Sequence, residues 1–264
     1  MTASTPTDYA PNRVRRSHDA RSYWRAALVV AAPLPWAAMG LVNVLQPFAG
    51  DESFAATVEK VRDNLGLVLA TSWMSLPFFA FLIPSVVAVV AATRRYAPRL
   101  AAWGGTLTVV GFGLGLGALG GGGTPLAVVT VMHGFDVDTM ARLDAAFLAA
   151  PYALVAGLFW ITALIIGQAL LGLALWRSRV VPVVFPIALL LGGPTHPFVP
   201  GGHIAVGIGL LLAAVGYAGA SLALIRTDND DFDLPPIRHD YGEEGEQSGG
   251  HAVNKRFDAP PTGT

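Results

Sequence analysis

His133, His196 and His203 are the side chains with the widest chemical reach in this chain. A neutral imidazole ligates zinc, copper or haem iron, and one that protonates near neutrality reports pH. Asp136 and Asp138, close to His133 in sequence, add carboxylates to the set. Their spacing matches no metal motif. No His-Glu-x-x-His occurs, and prolines and glycines rather than a helical turn separate His196 from His203. The three histidines therefore stand as candidate ligand-binding residues with the metal unspecified, and the competing reading is that they anchor helices at a membrane boundary. The chain has no cysteine, which removes disulfides, thiolate metal sites and thiol nucleophiles. It has no Gly-x-Ser-x-Gly elbow and no phosphate-binding loop. No catalytic residue is assigned, no cofactor is expected, and the balance is against an enzyme.

Two small-residue patterns look like motifs and read better as packing. Gly115-Leu116-Gly117-Ala118-Leu119-Gly120 matches the dinucleotide fingerprint by letter. That motif works at a strand end, where a turn offers backbone N–H groups to a pyrophosphate, whereas here it lies inside an apolar run. Gly113, Gly117 and Gly121 fall four apart, a spacing that lets a neighbouring helix approach closely. Gly209, Ala213, Gly216 and Ala220 form a second narrow face of the same kind, against the third span of this molecule or the same helix of a second copy.

The elements that must position these residues are membrane helices. The 264 residues are 53% apolar and 13% charged, where a soluble domain carries about 25% charged residues. Apolar runs at 26–45, 67–92, 100–119 and 152–176, a short one from Val180, and one at 204–225 predict an all-α, polytopic membrane protein of six transmembrane helices in three hairpins. Pro33 and Pro35 should kink the first span. Pro77 and Pro84 lie in the second, where the Thr71, Ser72 and Ser75 hydroxyls are placed to serve the carbonyls that the prolines leave free.

Arginine placement sets the orientation, because basic residues in short loops stay in the cytoplasm. Arg94, Arg95, Arg99, Arg177, Arg179 and Arg226 fall on one side; the other side holds mainly Asp51, Glu52, Glu59, Asp63, Asp136, Asp138 and Asp144. Both termini are thus expected in the cytoplasm of a cell whose plasma (inner) membrane holds the protein. Phe54, Val58, Val61 and Leu65 recur at helical spacing in the first outer loop, and Met140, Leu143 and Phe147 do so in the second behind a cap at Asp136 or Asp138. These predict two short amphipathic helices lying on the outer face. The domain plan is a cytoplasmic lead at 1–22, a membrane domain at 23–226 and a disordered acidic cytoplasmic tail at 227–264.

The third hairpin differs from the first two. Where they have an amphipathic helix, it has Gly192 to His203, rich in proline, glycine and histidine. A helix from Val180 to Gly193 covers about 21 Å of a core about 30 Å thick, so the fifth span reads as broken, with His196 just under the outer surface.

No ionisable side chain lies inside the first four spans or the sixth, which disfavours proton-coupled transporters, ion pumps and intramembrane aspartyl proteases. Asn43 and Gln168 are the polar exceptions, too far apart in depth to pair, and each is expected to satisfy a neighbouring helix. Three functions stay open. The first is a structural, accessory or regulatory membrane component. The second is a small-molecule binder or permease with its site near the outer end of the fifth span, and the third is a metal- or haem-dependent enzyme on the outer histidines. The expected partners are the lipid bilayer and a second copy or another membrane protein, with no nucleic acid.

The junction Ala174-Leu175-Trp176-Arg177-Ser178-Arg179-Val180-Val181-Pro182, with six spans and a proline-bearing fifth, resembles a group of uncharacterised integral membrane proteins of high-GC Gram-positive (actinobacterial) bacteria. The predominance of arginine over lysine, which occurs only at Lys60 and Lys255, fits that composition. The resemblance implies topology and host, and no site residue.

Overall fold

Proline and glycine punctuate the apolar runs, and the helices begin and end where they do. The structure, a computed structural model, describes residues 20–48, 52–119, 122–195 and 202–232. The first span is α1 (Ala20–Ala31) and α2 (Leu34–Leu45), with Pro33 and Pro35 at the join, so the expected kink is a true break. Then come α3 (Phe54–Asp63), α4 (Leu65–Thr93) and α5 (Pro98–Leu119). The chain continues through α6 (Thr124–His133), α7 (Val137–Leu148) and α8 (Pro151–Thr162). A π-helical turn, Ala163–Gly167, joins α8 to α9 (Gln168–Ser178). Last come α10 (Val184–Thr195), α11 (Gly202–Arg226) and the single turn α12 (Asn229–Phe232).

Among the described residues, five helical stretches are long and apolar enough to cross a membrane: Ala20–Leu45, Leu65–Thr93, Pro98–Gly117, Pro151–Ser178 and Gly202–Arg226. The sixth expected crossing is where the count differs. It corresponds to α10, whose 12 residues cover about 18 Å. Pro77 and Pro84 stay inside a continuous α4. The nearby hydroxyls do not serve the carbonyls those prolines release, at Trp73 and Ala80: Thr71 donates to Leu67 and Val68, Ser72 to Val68, and Ser75 to Ser72, one residue short of Trp73.

α11 is the axis of the bundle. Of its most apolar stretch 61% is buried, against 33–39% in the other four crossings, because α10, α2, α4 and α1 all pack on it. Aromatic rings fill the space between. Trp36 stacks on Tyr217 at 4.9 Å and touches Phe78 and Phe112, and Phe112 meets Trp160 at 4.9 Å, joining α2, α4, α5, α8 and α11. The Trp36 indole N–H donates to Ser85 Oγ at 3.2 Å, so the largest core ring buries no unsatisfied donor.

A second cluster closes one end. Val58 and Val61 of α3 are fully buried with Val68 and Ala127, and α6 supplies Val128 and Val131. The amphipathic α3, one of the two short helices expected from periodicity, lays its apolar face on α4 and α6. α7 is the second expected amphipathic helix, capped by Asp136, whose carboxylate accepts from the Thr139 N–H at 2.8 Å. α6 was not foreseen, since a 10-residue run apolar on every side shows no amphipathic period and is too short to read as a span.

Candidate functional site

The sequence-nominated histidines are not brought together. His133 ends α6 exposed, its ring stacked on Phe135 at 5.6 Å. His203 opens α11, partly buried, with its Nδ1 enclosed and unbonded. His196 lies outside the described residues. Among the described residues no three histidine, aspartate or glutamate side chains gather at metal-binding distance.

The small face of α11 is in contact along its length, and its partner is α10 of the same molecule. A Cβ at Gly192 would strike the Ala213 amide and come 2.6 Å from the Gly209 carbonyl, and one at Gly216 would lie 2.6 Å from the Leu189 backbone. Ala213 and Ala220 are fully buried. The face expected on α5 is displaced instead. Among the described residues nothing lies within 4 Å of a Cβ built on Gly113 or Gly117, and Gly121 lies outside them; Gly111 and Gly115 carry the close approach, to Phe159 and Trp160 of α8. The reason is geometric: a four-residue spacing picks out a helix stripe without saying which of two adjacent stripes has the neighbour.

Two polar side chains at the core lack a hydrogen-bond partner among the described residues, the Tyr217 hydroxyl and the Gln168 amide. Gln168 is fully buried, and neither its Nε2 nor its Oε1 has a hydrogen-bond partner. It follows directly on the π turn, and its side chain lies against Gly193, where a Cβ would come 2.8 Å from the Gln168 Cβ. Buried amides normally find partners, and π turns recur at functional positions, so this pairing of the two stands out. The 11 residues of α9 put Gln168 about 16 Å from the far end of that helix. Gly193, close to the end of α10, therefore lies opposite an amide with unused donors and acceptor. Asn43 behaves otherwise than expected: it bonds Met39 O of its own helix at 2.9 Å, not a neighbour.

The remaining polar chemistry sits at the end where arginines collect. Arg21 donates to Asn229 O at 3.2 Å and pairs with Asp230 at 3.5 Å; Arg25 donates to Thr227 O. Arg94 donates to Phe232 O at 2.6 Å, and Arg95 pairs with Asp231 at 3.4 Å. Three guanidinium groups from α1 and the α4–α5 turn thus grip α12, and Arg25 holds the link that leads into it. Of the segment expected as a tail from Thr227, Asn229–Phe232 form α12, and residues 233–264 lie outside the described residues.

Beside that grip lies a cleft of ≈ 870 Å³ between the α4–α5 turn and the end of α9. Tyr96, Arg99, Leu173, Trp176, Arg177 and Arg179 line it. Arg179 caps α9 in the left-handed region at φ 53°, where glycine is the usual residue. Sequence reasoning used these arginines for orientation and missed the cleft. The available signal was that both junctions, Tyr96-Ala97-Pro98-Arg99 and Trp176-Arg177-Ser178-Arg179, follow an aromatic residue with arginine.

No curated protein and no solved structure matches the chain significantly. A family described as a domain of unknown function (DUF4386) matches residues 28–229, from within α1 to the start of α12. That stretch takes in α2 to α11 in full, and the chain belongs to the DUF4386 family.

Proposed function

We propose that this DUF4386 chain crosses the plasma membrane six times, with α10 and the segment after it as the fifth crossing, and has both termini in the cytoplasm. In this reading it acts without catalysis, as a structural, accessory or regulatory membrane component, alone as an oligomer or with another membrane protein. The observation that carries it is the filled interior: aromatic stacking around Trp36 and backbone-close helix contacts around α11 occupy the centre of the bundle, while a cleft of ≈ 870 Å³ lies at its arginine end. The arginine-rich usage and the junction at Ala174–Pro182 support a high-GC Gram-positive host. A reporter fused after Gly50 is expected to be active only outside the cytoplasm, and activity on the cytoplasmic side overturns the orientation. Purification in mild detergent should recover a homo-oligomer or a stoichiometric membrane partner; a lone monomer that acts on a small molecule would overturn the accessory role.

A second reading, a small-molecule binder or permease at the end of α10, is favoured by the unpaired Gln168 amide beside Gly193. The two separate on one variant. If Gln168 only packs, Gln168→Leu raises the melting midpoint, since removing an unsatisfied buried amide relieves about 1–3 kcal/mol. If it holds a ligand, a thermal-shift hit found with the wild type disappears in Gln168→Leu or His196→Ala.

A further inference from the structure

We propose that the arginine cleft between the α4–α5 turn and the end of α9 binds the headgroup phosphate of an anionic glycerophospholipid. The inference goes beyond the functional reading above and needs only that this end of the bundle meets a membrane surface, whichever side that is.

The charge is placed for a phosphate. Arg99, Arg177 and Arg179 enter one cleft, and among the described residues no carboxylate lines it. Arg21, Arg94 and Arg95 on the same end are occupied by α12, whereas Arg99 and Arg179 have no acidic partner among the described residues. A guanidinium fork matches phosphate oxygens two at a time, and α9 holds Arg179 at a backbone geometry where glycine would be the relaxed choice. The anion-binding side chain is thus fixed at its root by the helix cap.

The rest of the wall says that the anion carries a lipid tail. Leu173, Trp176 and Arg177 stand three and four residues apart on α9, and Arg99 and Trp103 stand four apart on α5, so on each helix the same face runs from arginine to an apolar side chain turned outward from the bundle. Trp103 is 67% exposed and Leu173 44% exposed, on apolar helices that no other described element covers there. Trp176 stands between Leu173 and the arginines on α9, and Tyr96 of the α4–α5 turn lines the same cleft, rings of the kind that favour the headgroup boundary. Phosphate against arginine, glycerol beside the rings and acyl chain along Leu173 and Trp103 follow the order of a phospholipid from head to tail. A soluble phosphate ester would use the first part of this gradient and none of the last.

The full-length protein in lipid nanodiscs provides the test. Thermal midpoints are compared in phosphatidylcholine discs, in phosphatidylcholine with phosphatidylglycerol, and in phosphatidylcholine discs with added inorganic phosphate. Phosphatidylglycerol should raise the wild-type midpoint and phosphate should not. Spin-labelled lipids measure the preference directly: Arg99→Gln with Arg179→Gln should cut the selectivity for phosphatidylglycerol over phosphatidylcholine roughly thirtyfold, about the contribution of two arginines at a lipid surface. An undiminished preference in that double variant overturns the site, and an equal rise with inorganic phosphate reassigns it to a soluble anion. Should the double variant not fold, native mass spectrometry of the wild type decides: retention of phosphatidylglycerol over phosphatidylcholine supports the site, and equal retention overturns it.

Discussion

Gly216 and Gly113 sit in equally apolar helices, yet only the first has a neighbour against it. A side chain at Gly216 must displace the Leu189 backbone, which cannot rotate away as a flexible tip would. Gly216→Val should therefore lower stability by about 1–3 kcal/mol, the usual cost of overpacking a filled contact. Gly113→Ala meets open space and should gain about 0.5–1 kcal/mol by removing backbone freedom from a helix interior. Thermal melts of both variants in one detergent check the contrast, and a destabilised Gly113→Ala would mean that a second molecule covers that stripe. Sequence spacing revealed that both helices carry small faces but not which stripe on α5 is used, because 3.6 residues per turn leave neighbouring stripes nearly equivalent. For the histidines, residue type was legible and position was not: ligand capacity belongs to the side chain, whereas convergence belongs to the fold.

At the scale of elements, the caps and grips at the two ends respond to different conditions. The Asp136 carboxylate accepts hydrogen bonds from the Thr139 side chain and backbone N–H, and these hold its pKa below the ordinary carboxylate value. A lowered folded value means that the cap strengthens α7 above about pH 3.9, the unfolded reference, and is lost as pH falls through the lower, folded value. The Thr139 amide chemical shift should titrate with a midpoint on the acid side of 3.9, and in Asp136→Asn it should not titrate in that range. The α12 grip depends on arginine instead. Arg94→Ala combined with Arg95→Ala should speed amide exchange across Asn229–Phe232 and leave α11 protected, because α11 is held by packing along its whole length. The tail turn was hidden in the sequence because four residues have no period to read; what orders them is a set of arginines far away in the chain.

For the whole molecule, stability concentrates where Trp36 meets Tyr217, Phe78 and Phe112. Trp36→Ala opens a cavity shared by four helices and should cost about 3–5 kcal/mol, read as a lowered melting midpoint with loss of near-ultraviolet dichroism. The membrane class, the long spans and the amphipathic α3 and α7 were legible because hydropathy and periodicity report on each segment alone. The depth reached by α10 was not, since it is set by where Gly192 and Gly193 lodge against α11 and Gln168.

The central place of α11 also bears on how the protein is made. Ribosomes deliver the chain from its N-terminal end, so α2 and α4 enter the bilayer well before the helix against which they pack. Until Gly207 arrives to meet Gly40 and Tyr217 to meet Trp36, the earlier helices have no partner on that side. Assembly is accordingly a late, concerted event, and a nascent chain stalled before Gly202 would present its unfilled faces to whatever chaperone or insertase attends it.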